Sequence, residues 1–273
     1  MKAFGLLESW PVENVAVAVI SRDGSTSRHG DTSRAFALAS VTKLFTAVAV
    51  HLAVEEGSVA LGDAAGVLRE GDTPRGATIS DLLAHSGGFS PAGDVLDDPG
   101  RRRIYSNGGY ELLDKAVAAG SGLSFAEYLS EGVFGPLGMS SSSLDGSAAH
   151  AGVSSVDDLV NFITRLPELL ASSTIEAMTS PHRPELEGVL PGYGRQNPNL
   201  WGLGPEIRGT KSPHWTGSGN SSSTWGHFGQ AGTFVWVDPG TSTSLITLTD
   251  RPFGDWAVPL WPQFSDAVLE EIA

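Results

Sequence analysis

The stretch FALASVTKLFTAVAV, residues 36–50, places a serine and a lysine at the start of a long apolar run. Apolar residues occupy nearly every side of the helix predicted over residues 41–56, and Gly57 follows as a helix-ending residue, so this helix should be buried. Ser40 and Lys43 are three positions apart and share one face of it. Burial lowers the pKa of a lysine, and a lysine with a lowered pKa can take the proton of a serine hydroxyl. The pattern therefore predicts an activated serine at the beginning of a buried helix.

Both ends of the chain have the pattern of β-strands. NVAVAVISRDG, residues 14–24, ends on Asp-Gly and is followed by STSRHGD, which predicts a β-hairpin. Beyond Pro181, GTFVWVDPG and STSLITLTDRP predict two strands joined by Asp-Pro-Gly, and WPQFSDAVLEEI predicts a last helix from residue 261. The terminal regions should therefore meet in one antiparallel sheet.

Between these strands the sequence predicts helices, among them TISDLLAHSGG, GYELLDKAVAAGSG and SSVDDLVNFITRLPELL. In the last of these, Ser155 and Asp158 have the spacing of a capping box. The predicted fold class is α/β, in the α+β sense: an antiparallel sheet flanked by terminal helices, plus a mostly helical lobe. We expect residues 1–35 and 185–273 to form the sheet lobe and residues 36–184 the helical lobe, together one compact unit with its site in the crevice between them.

Composition excludes several classes of function. The 273 residues carry 17 Lys and Arg against 31 Asp and Glu, a net charge of -14, which repels nucleic acid and anionic lipid. The RRR at residues 101–103 is expected to be solvated surface. Cysteine is absent, and Glu8 and Glu13 interrupt the apolar residues at the N-terminus, so we expect a cytoplasmic protein without disulfides. No apolar run reaches the roughly 18 residues of a membrane span, and we expect no metal and no cofactor.

Two further motifs complete a possible catalytic set. YSN, residues 105–107, follows a loop rich in Pro, Gly and Asp, and GHFGQAG, residues 226–232, precedes a strongly patterned strand. Each motif is common, and an S-x-x-K pair is by itself only a serine and a lysine in a first helical turn. Their occurrence together is what points to a nucleophilic serine. Patterns typical of other hydrolases, G-x-S-x-G, H-E-x-x-H and the P-loop, do not occur.

On these motifs the chain resembles the serine β-lactamase and penicillin-binding-protein superfamily, and specifically the branch that contains class C β-lactamases, DD-peptidases and related esterases. The resemblance extends from about Val15 to Arg251 through blocks such as TISDLLAHSGGFS, SFAEYLSEGVFGPLGM and GVSSVDDLVNF. It implies a β-lactamase/transpeptidase-like fold and a reaction that passes through an acyl-enzyme.

The resemblance also implies roles for individual residues. Ser40 would be the acylated nucleophile and Lys43 its proton partner. Tyr105 would exchange protons with Ser40 and the leaving group, which requires nearby cations to lower its pKa; which of Lys43 and Tyr105 holds the proton stays open. Asn107 would hydrogen-bond the substrate or the lysine. The remaining implied roles belong to the strand motif: His227 and Gly229 at the substrate, and the amides of Ser40 and Gln230 as the oxyanion hole.

The implied function is a serine hydrolase that acts on small esters, amides or β-lactams. A carboxylesterase-like activity is favoured, because His227 stands where many relatives carry a lysine and because no export signal is seen. The alternative is a catalytically silent or slowly deacylating penicillin-binding or regulatory protein that keeps the fold. His85 is expected to be a structural turn residue, and Asp250 would disfavour anionic substrates if it faced the crevice. The expected partner is a small-molecule substrate, and a monomer is favoured.

Overall fold

We describe a computed structural model of the chain, over residues 1–66 and 76–272. Its strands are β1 Val15–Ile20, β2 Thr26–His29, β3 Phe36–Ala37, β4 Ser143–Leu144, β5 Gly152–Ser154, β6 Gly188–Leu190, β7 Gly194–Gln196, β8 Glu206–Ile207, β9 Trp225–Gly229, β10 Thr233–Asp238 and β11 Thr243–Thr249. Its α-helices are α1 Thr42–Glu55, α2 Ile79–Leu83, α3 Asn107–Ser121, α4 Phe125–Leu129, α5 Gly135–Leu137, α6 Val156–Leu169, α7 Ser172–Thr179 and α8 Ala257–Ile272. Short 3₁₀ helices span Lys2–Ser9 and Ala39–Val41, and a π-helical turn spans Ser130–Phe134. In this part of the chain no helix is both long enough and apolar enough to cross a membrane.

A six-stranded antiparallel sheet joins the two ends of the chain. Its order is β2-β1-β11-β10-β9-β8, and the predicted hairpins are the β1–β2 and β10–β11 pairs. The N-terminal strand pairs with the C-terminal one in a register that runs from Val15 opposite Thr249 to Ile20 opposite Ser244. The division of the chain at residues 35 and 184 stays a prediction, and the second of its ranges includes residues 67–75, which are outside the described part.

The inner strands of the sheet are buried on both faces, and on β1 the size of the side chains alternates with the faces. On β1, Ala16 and Ala18 contact the core formed with α1 and α6, whereas Val17 and Val19 contact the core formed with the N-terminal 3₁₀ helix and α8. Successive residues of a strand point to opposite faces. The small alanines leave room for helices on one side, and the valines fill space on the other. The terminal helices and the helical region therefore cover opposite faces of one sheet.

Helix α1 runs through the centre of the molecule, as its apolar sequence predicts. Eleven of its fourteen residues are buried, Lys43 among them. The helix ends at Glu55, and Gly57 follows with a φ of 76°, in the left-handed region that suits glycine. A lysine near the start of such a helix has no route to solvent, and its ammonium group must find its partners inside the protein.

Two local predictions are only partly right. Ser155 caps α6 by accepting a hydrogen bond from the Asp158 amide, but the Asp158 carboxylate accepts from the Ser141 amide and the Ser142 hydroxyl, so the capping box is not reciprocal. The last helix begins at Ala257, four residues before its predicted start. Pro262 lies inside the helix.

The expectation that residues 101–103 are solvated surface is wrong for Arg103. Its side chain is buried, and its guanidinium donates hydrogen bonds to the carbonyls of Ala84, His182, Arg183 and Asn199. An arginine has five donors in a fixed planar arrangement, which suits it to join several loops. Burial lowers the pKa of Arg103 to about 10, so it stays charged at neutral pH. Arg103 thus holds the loop that leads into Tyr105.

Candidate active site

Ser40 lies in a strained turn between β3 and α1. The turn is the 3₁₀ helix Ala39–Val41, and Ala39 has a φ of 46°, in the left-handed region that alanine rarely adopts. The Leu38 carbonyl on one side of it accepts a hydrogen bond of 2.8 Å from the Thr233 hydroxyl of β10. These contacts fix the backbone on which Ser40 sits, and the serine side chain is 9% exposed.

The Lys43 amine is fully buried beside Ser40. Its Nζ lies 3.3 Å from Ser40 Oγ, 2.8 Å from Asn107 Oδ1 and 2.8 Å from the Ala149 carbonyl oxygen. Burial lowers the pKa of Lys43 well below its usual value, and the charge of Glu111 opposes the shift. A neutral amine has two N–H groups and one lone pair. Asn107 Oδ1 and the Ala149 carbonyl can only accept, so they take the two N–H groups and leave the lone pair for the Ser40 hydroxyl.

Tyr105 precedes α3 and lies across the cavity from β9. Ser106 is the N-cap of α3, and its hydroxyl accepts from the Gly109 amide and donates to the Ser90 carbonyl, which fixes the backbone next to Tyr105. The Tyr105 ring centroid lies 4.7 Å from Lys43 Nζ. Burial raises the pKa of Tyr105, and interaction with the Ser40 hydroxyl offsets this only in part. The expectation of a lowered phenol pKa is therefore wrong, because the desolvation of Tyr105 outweighs its interaction with Ser40.

His227, on β9, presents an acceptor to the site. Its Nδ1 lies 2.6 Å from the Phe228 carbonyl oxygen, and since a carbonyl only accepts, Nδ1 carries the proton. Nε2, with its lone pair, lies 3.5 Å from the Tyr105 hydroxyl. Burial and the neighbouring Lys43 lower the pKa of His227 to about 3. At neutral pH the imidazole is uncharged and cannot act as the cation that a lysine would supply at this position.

The resemblance implies that Gly229 lets a substrate approach the strand closely, whereas a Cβ at Gly229 would point at the turn that carries Ser40. A Cβ at this position would overlap the Leu38 carbonyl oxygen, lie 2.6 Å from the Thr233 hydroxyl and come within 3.2 Å of the Ala39 side chain. The space beside Gly229 is thus filled by the turn that carries Ser40, and a substrate does not approach on that side. The close approach that glycine permits is between β9 and the Ser40 turn.

A small cavity and a larger groove meet at Tyr105. The cavity, about 40 Å³, is lined by Ser40, Tyr105, Leu190, Pro191, Trp201, Glu206, His227, Phe228 and Gln230. The groove, about 510 Å³, shares Tyr105 and Pro191 with the cavity and is lined further by Pro91, Leu96, Arg102, Arg103, Ile104, Glu187, Gly188, Val189 and Arg195. The cavity is therefore large enough only for a small group, whereas the groove could accommodate a much larger one.

The structure brings all seven predicted site residues together. Next to them lies a buried charged network that was not predicted from the sequence. Glu206 accepts hydrogen bonds from Lys211 and His214 at Oε1, 2.7 Å and 3.0 Å away, and from the Trp215 indole at Oε2, 2.8 Å away. The only signal in the sequence is a glutamate within the otherwise apolar WGLGPEIRG. Its partners fall in a Gly/Ser-rich loop that looks solvated.

Two other expectations about nearby residues have clear outcomes. His85 has a φ of 55°, which fits a turn, but its ring also packs against Tyr105 with the centroids 4.5 Å apart. Asp250 does not line the cavity or the groove. Its carboxylate accepts hydrogen bonds from the amides of Glu13 and Asn14 at the surface. Asp250 therefore secures the N-terminal segment and has no contact with the crevice.

Comparisons with known proteins agree with this geometry. The β-lactamase family model matches residues 12–268. The solved structure of a β-lactamase from Mycobacterium bovis is 48% identical to the chain, with a TM-score of 0.92 and 99% of each chain covered. Penicillin-binding protein 4* of Bacillus subtilis is 29% identical over 135 residues, a match that spans 40% of this chain and only 30% of that protein.

The likeness to other solved structures is a likeness of fold. EstCE1, described as a hydrolase with promiscuous acyltransferase activity, has a TM-score of 0.80 over 98% of this chain and 97% of its own, at 16% identity. The predicted fold class and the resemblance to the serine β-lactamase and penicillin-binding-protein superfamily are both confirmed. Because the β-lactamase family model matches residues 12–268 of the chain, the chain belongs to the β-lactamase family.

Proposed function

We propose that the protein is a serine hydrolase that acts through an acyl-enzyme at Ser40, with a carboxylesterase-like activity on small esters. The observation that carries the proposal is the environment of Lys43: two obligate acceptors take its N–H groups and leave its lone pair to Ser40. A buried amine of lowered pKa in that position is a general base.

In the acylation step, Ser40 Oγ attacks the carbonyl carbon of the ester while its proton passes to Lys43 Nζ. The amides of Ser40 and Gln230 receive the negative charge that develops on the carbonyl oxygen. As the carbon–oxygen bond to the leaving group breaks, Tyr105 donates its proton to the departing alkoxide and regains one from Lys43. The products are the free alcohol and the Ser40 ester, and both side chains return to their initial protonation states.

In the deacylation step, water replaces the alcohol. The water loses a proton to the Lys43–Tyr105 pair as its oxygen attacks the Ser40 ester, and the same pair returns a proton to Ser40 Oγ. The acid is released and the free enzyme is restored. Because burial lowers the pKa of Lys43 and raises that of Tyr105, we assign the lysine as the base and the tyrosine as the acid in both steps.

Esters are favoured over β-lactams because the residue on β9 beside Ser40 offers no positive charge to the carboxylate of a β-lactam. His227 occupies the place where many relatives carry a lysine, and its pKa of about 3 leaves it neutral at physiological pH. EstCE1, a fold relative, is described as a hydrolase, which is consistent with such an activity.

The test is intact-protein mass spectrometry after exposure to p-nitrophenyl butyrate, a cephalosporin and a fluorophosphonate. We expect a stable fluorophosphonate adduct, ester turnover, and neither of these in Ser40→Ala. The exposed Ser33 provides a matched control, Ser33→Ala, which should behave as the wild type. An adduct that survives in Ser40→Ala would mean that another serine is the nucleophile. An ester or cephalosporin adduct that forms but is not released would instead identify a slowly deacylating, penicillin-binding-type protein.

A further inference from the structure

The lining of the cavity beside Ser40 includes one ionised carboxylate, Glu206, whose counter-ion Lys211 lies behind it and is not a lining residue. Of its nine described lining residues, Glu206 alone has a side chain that is charged at neutral pH, since the pKa of His227 is lowered to about 3. Burial by itself would raise the pKa of Glu206, but the charge of Lys211 and the hydrogen bonds from Lys211 and His214 outweigh it and lower that pKa. Glu206 is therefore an ionised carboxylate in direct reach of the site.

The carboxylate is also held rigidly. Trp215 donates to one oxygen, and Lys211 and His214 donate to the other. The tautomer of His214 is fixed, because its Nδ1 accepts from the Thr216 amide and only Nε2 is left to carry a proton toward Glu206. A buried carboxylate with three donors cannot swing out of the wall without leaving those donors unpaired.

The N–H groups of Lys211 and His227 all donate to groups of the protein, so they are not free to bind an anionic substrate. Lys211 directs its three N–H groups to Glu206 Oε1, the Leu200 carbonyl and the Ile207 carbonyl, each 2.7 Å away. The Nδ1–H of His227 is used by the Phe228 carbonyl, and its Nε2 accepts. A carboxylate placed in the cavity would therefore lie beside the Glu206 carboxylate with none of these donors free, because the arginines Arg102, Arg103 and Arg195 line the groove and not the cavity.

We propose that Glu206 and its partners restrict the enzyme to uncharged acyl groups, so that an ester with a carboxylate on its acyl chain is a poor substrate. This inference rests on the proposed acyl transfer at Ser40 and names its substrate class. Like charges brought together in a desolvated site repel strongly, which provides specificity against the wrong partner.

The test compares two esters that differ in charge, mono-p-nitrophenyl glutarate and its methyl ester, with the non-enzymatic rate subtracted. We expect the wild type to turn over the methyl ester with a kcat/KM roughly 30-fold or more above that of the half-ester, the size expected for a repulsion of this kind. Equal kcat/KM values in the wild type would overturn the proposal without any variant. If neither ester is turned over and Ser40 is not labelled, the proposed function itself fails.

The role of the network is tested by removing both charges together in Glu206→Gln/Lys211→Met, which leaves no unpaired buried ion. The ratio of the two kcat/KM values should fall at least about tenfold. Glu8→Gln, the same chemical change at an exposed residue outside both cavities, should keep the wild-type ratio. Circular dichroism and thermal unfolding check the fold, and if the double variant does not fold, Glu206→Gln is measured in its place. A folded variant that keeps the wild-type ratio overturns the proposal.

Discussion

The protonation states of two side chains define the chemistry of the site. Lys43 and Tyr105 lie in the same buried space, and burial shifts the pKa of each toward its neutral form: down for the amine and up for the phenol. The amine is therefore ready to accept a proton and the phenol to donate one. Asn107 and the Ala149 carbonyl set the direction of the Lys43 lone pair, so the division of labour follows from the hydrogen-bond partners as well as from burial.

Asn107→Asp tests this assignment, because it places a carboxylate where Oδ1 now lies 2.8 Å from Lys43 Nζ. A negative charge at that distance raises the pKa of Lys43, and the lysine is a base only when it is deprotonated. The acid limb of kcat/KM for a neutral p-nitrophenyl ester should move to higher pH by about one unit or more. Activity should be lost at pH 7 and recovered in part as the pH rises.

A matched control for this change is Asn161→Asp, an amide on α6 that lies outside the cavity and the groove. Its pH profile should coincide with that of the wild type. If Asn107→Asp lowers the rate equally at every pH and leaves the limb in place, Lys43 is not the base.

At the scale of elements, the site depends on how α1 meets the sheet. The turn before α1 has alanine in a left-handed conformation, and β9 comes close enough to this turn that only glycine fits at Gly229. The strained turn is held by neighbours on both sides, the Thr233 hydroxyl on one and β5, through the hydrogen bond from the Leu38 amide to the Gly152 carbonyl, on the other. Strain of this kind persists only where the surrounding structure supports it.

Gly229→Ala tests the packing of the turn. Its Cβ would overlap the Leu38 carbonyl and crowd the Thr233 hydroxyl, so we expect the free energy of unfolding to fall by about 1–3 kcal/mol. Displacement of the Ser40 turn should also slow labelling by a fluorophosphonate. Gly5→Ala is the control, since no other group lies within 4 Å of its added Cβ. Chemical denaturation and the labelling rate are the two measurements, and an unchanged Gly229→Ala on both would show that the turn tolerates a side chain there.

The residues gathered at the site were predicted from the family resemblance. Local sequence patterns were sufficient for the hairpins and the central helix. Each of these depends on neighbours a few positions away: the apolar run after Ser40, the Asp-Gly turn after β1, the glycine after α1. The Glu206 network and the buried Arg103 could not be found in this way, because their partners come from distant segments and a charged residue is usually on the surface. The direction of the Tyr105 pKa shift was predicted wrongly for the same reason, since burial is a property of the whole fold.

At the scale of the molecule, the candidate active site lies where three segments that are far apart in the sequence meet. Ser40 comes from the turn before α1, Tyr105 from the loop before α3, and His227 from a strand near the end of the chain. Each segment contributes buried polar groups, and four of the seven histidines, His51, His85, His214 and His227, are fully or almost fully buried. Chemistry and stability are thus coupled, because burial disfavours the charged forms of groups at the site such as Lys43 and His227.

This coupling predicts that mild acid destabilises the protein before its carboxylates titrate. Burial lowers the pKa of all four of these histidines below 6.5 in the folded chain. Below that pH the unfolded chain binds protons that the folded chain does not, so stability falls as the pH falls. A histidine that stays neutral when folded costs about 2 kcal/mol between pH 6.5 and 5. Chemical denaturation should therefore show that the free energy of unfolding of the wild type is clearly smaller at pH 5 than at pH 7. In His227→Gln, which has one buried titrating group fewer, this decrease should be about 2 kcal/mol smaller. The exposed His150 supplies the control, His150→Gln, which should keep the wild-type loss. If the free energy of unfolding were the same at both pH values, the buried histidines would have to be charged in the folded protein.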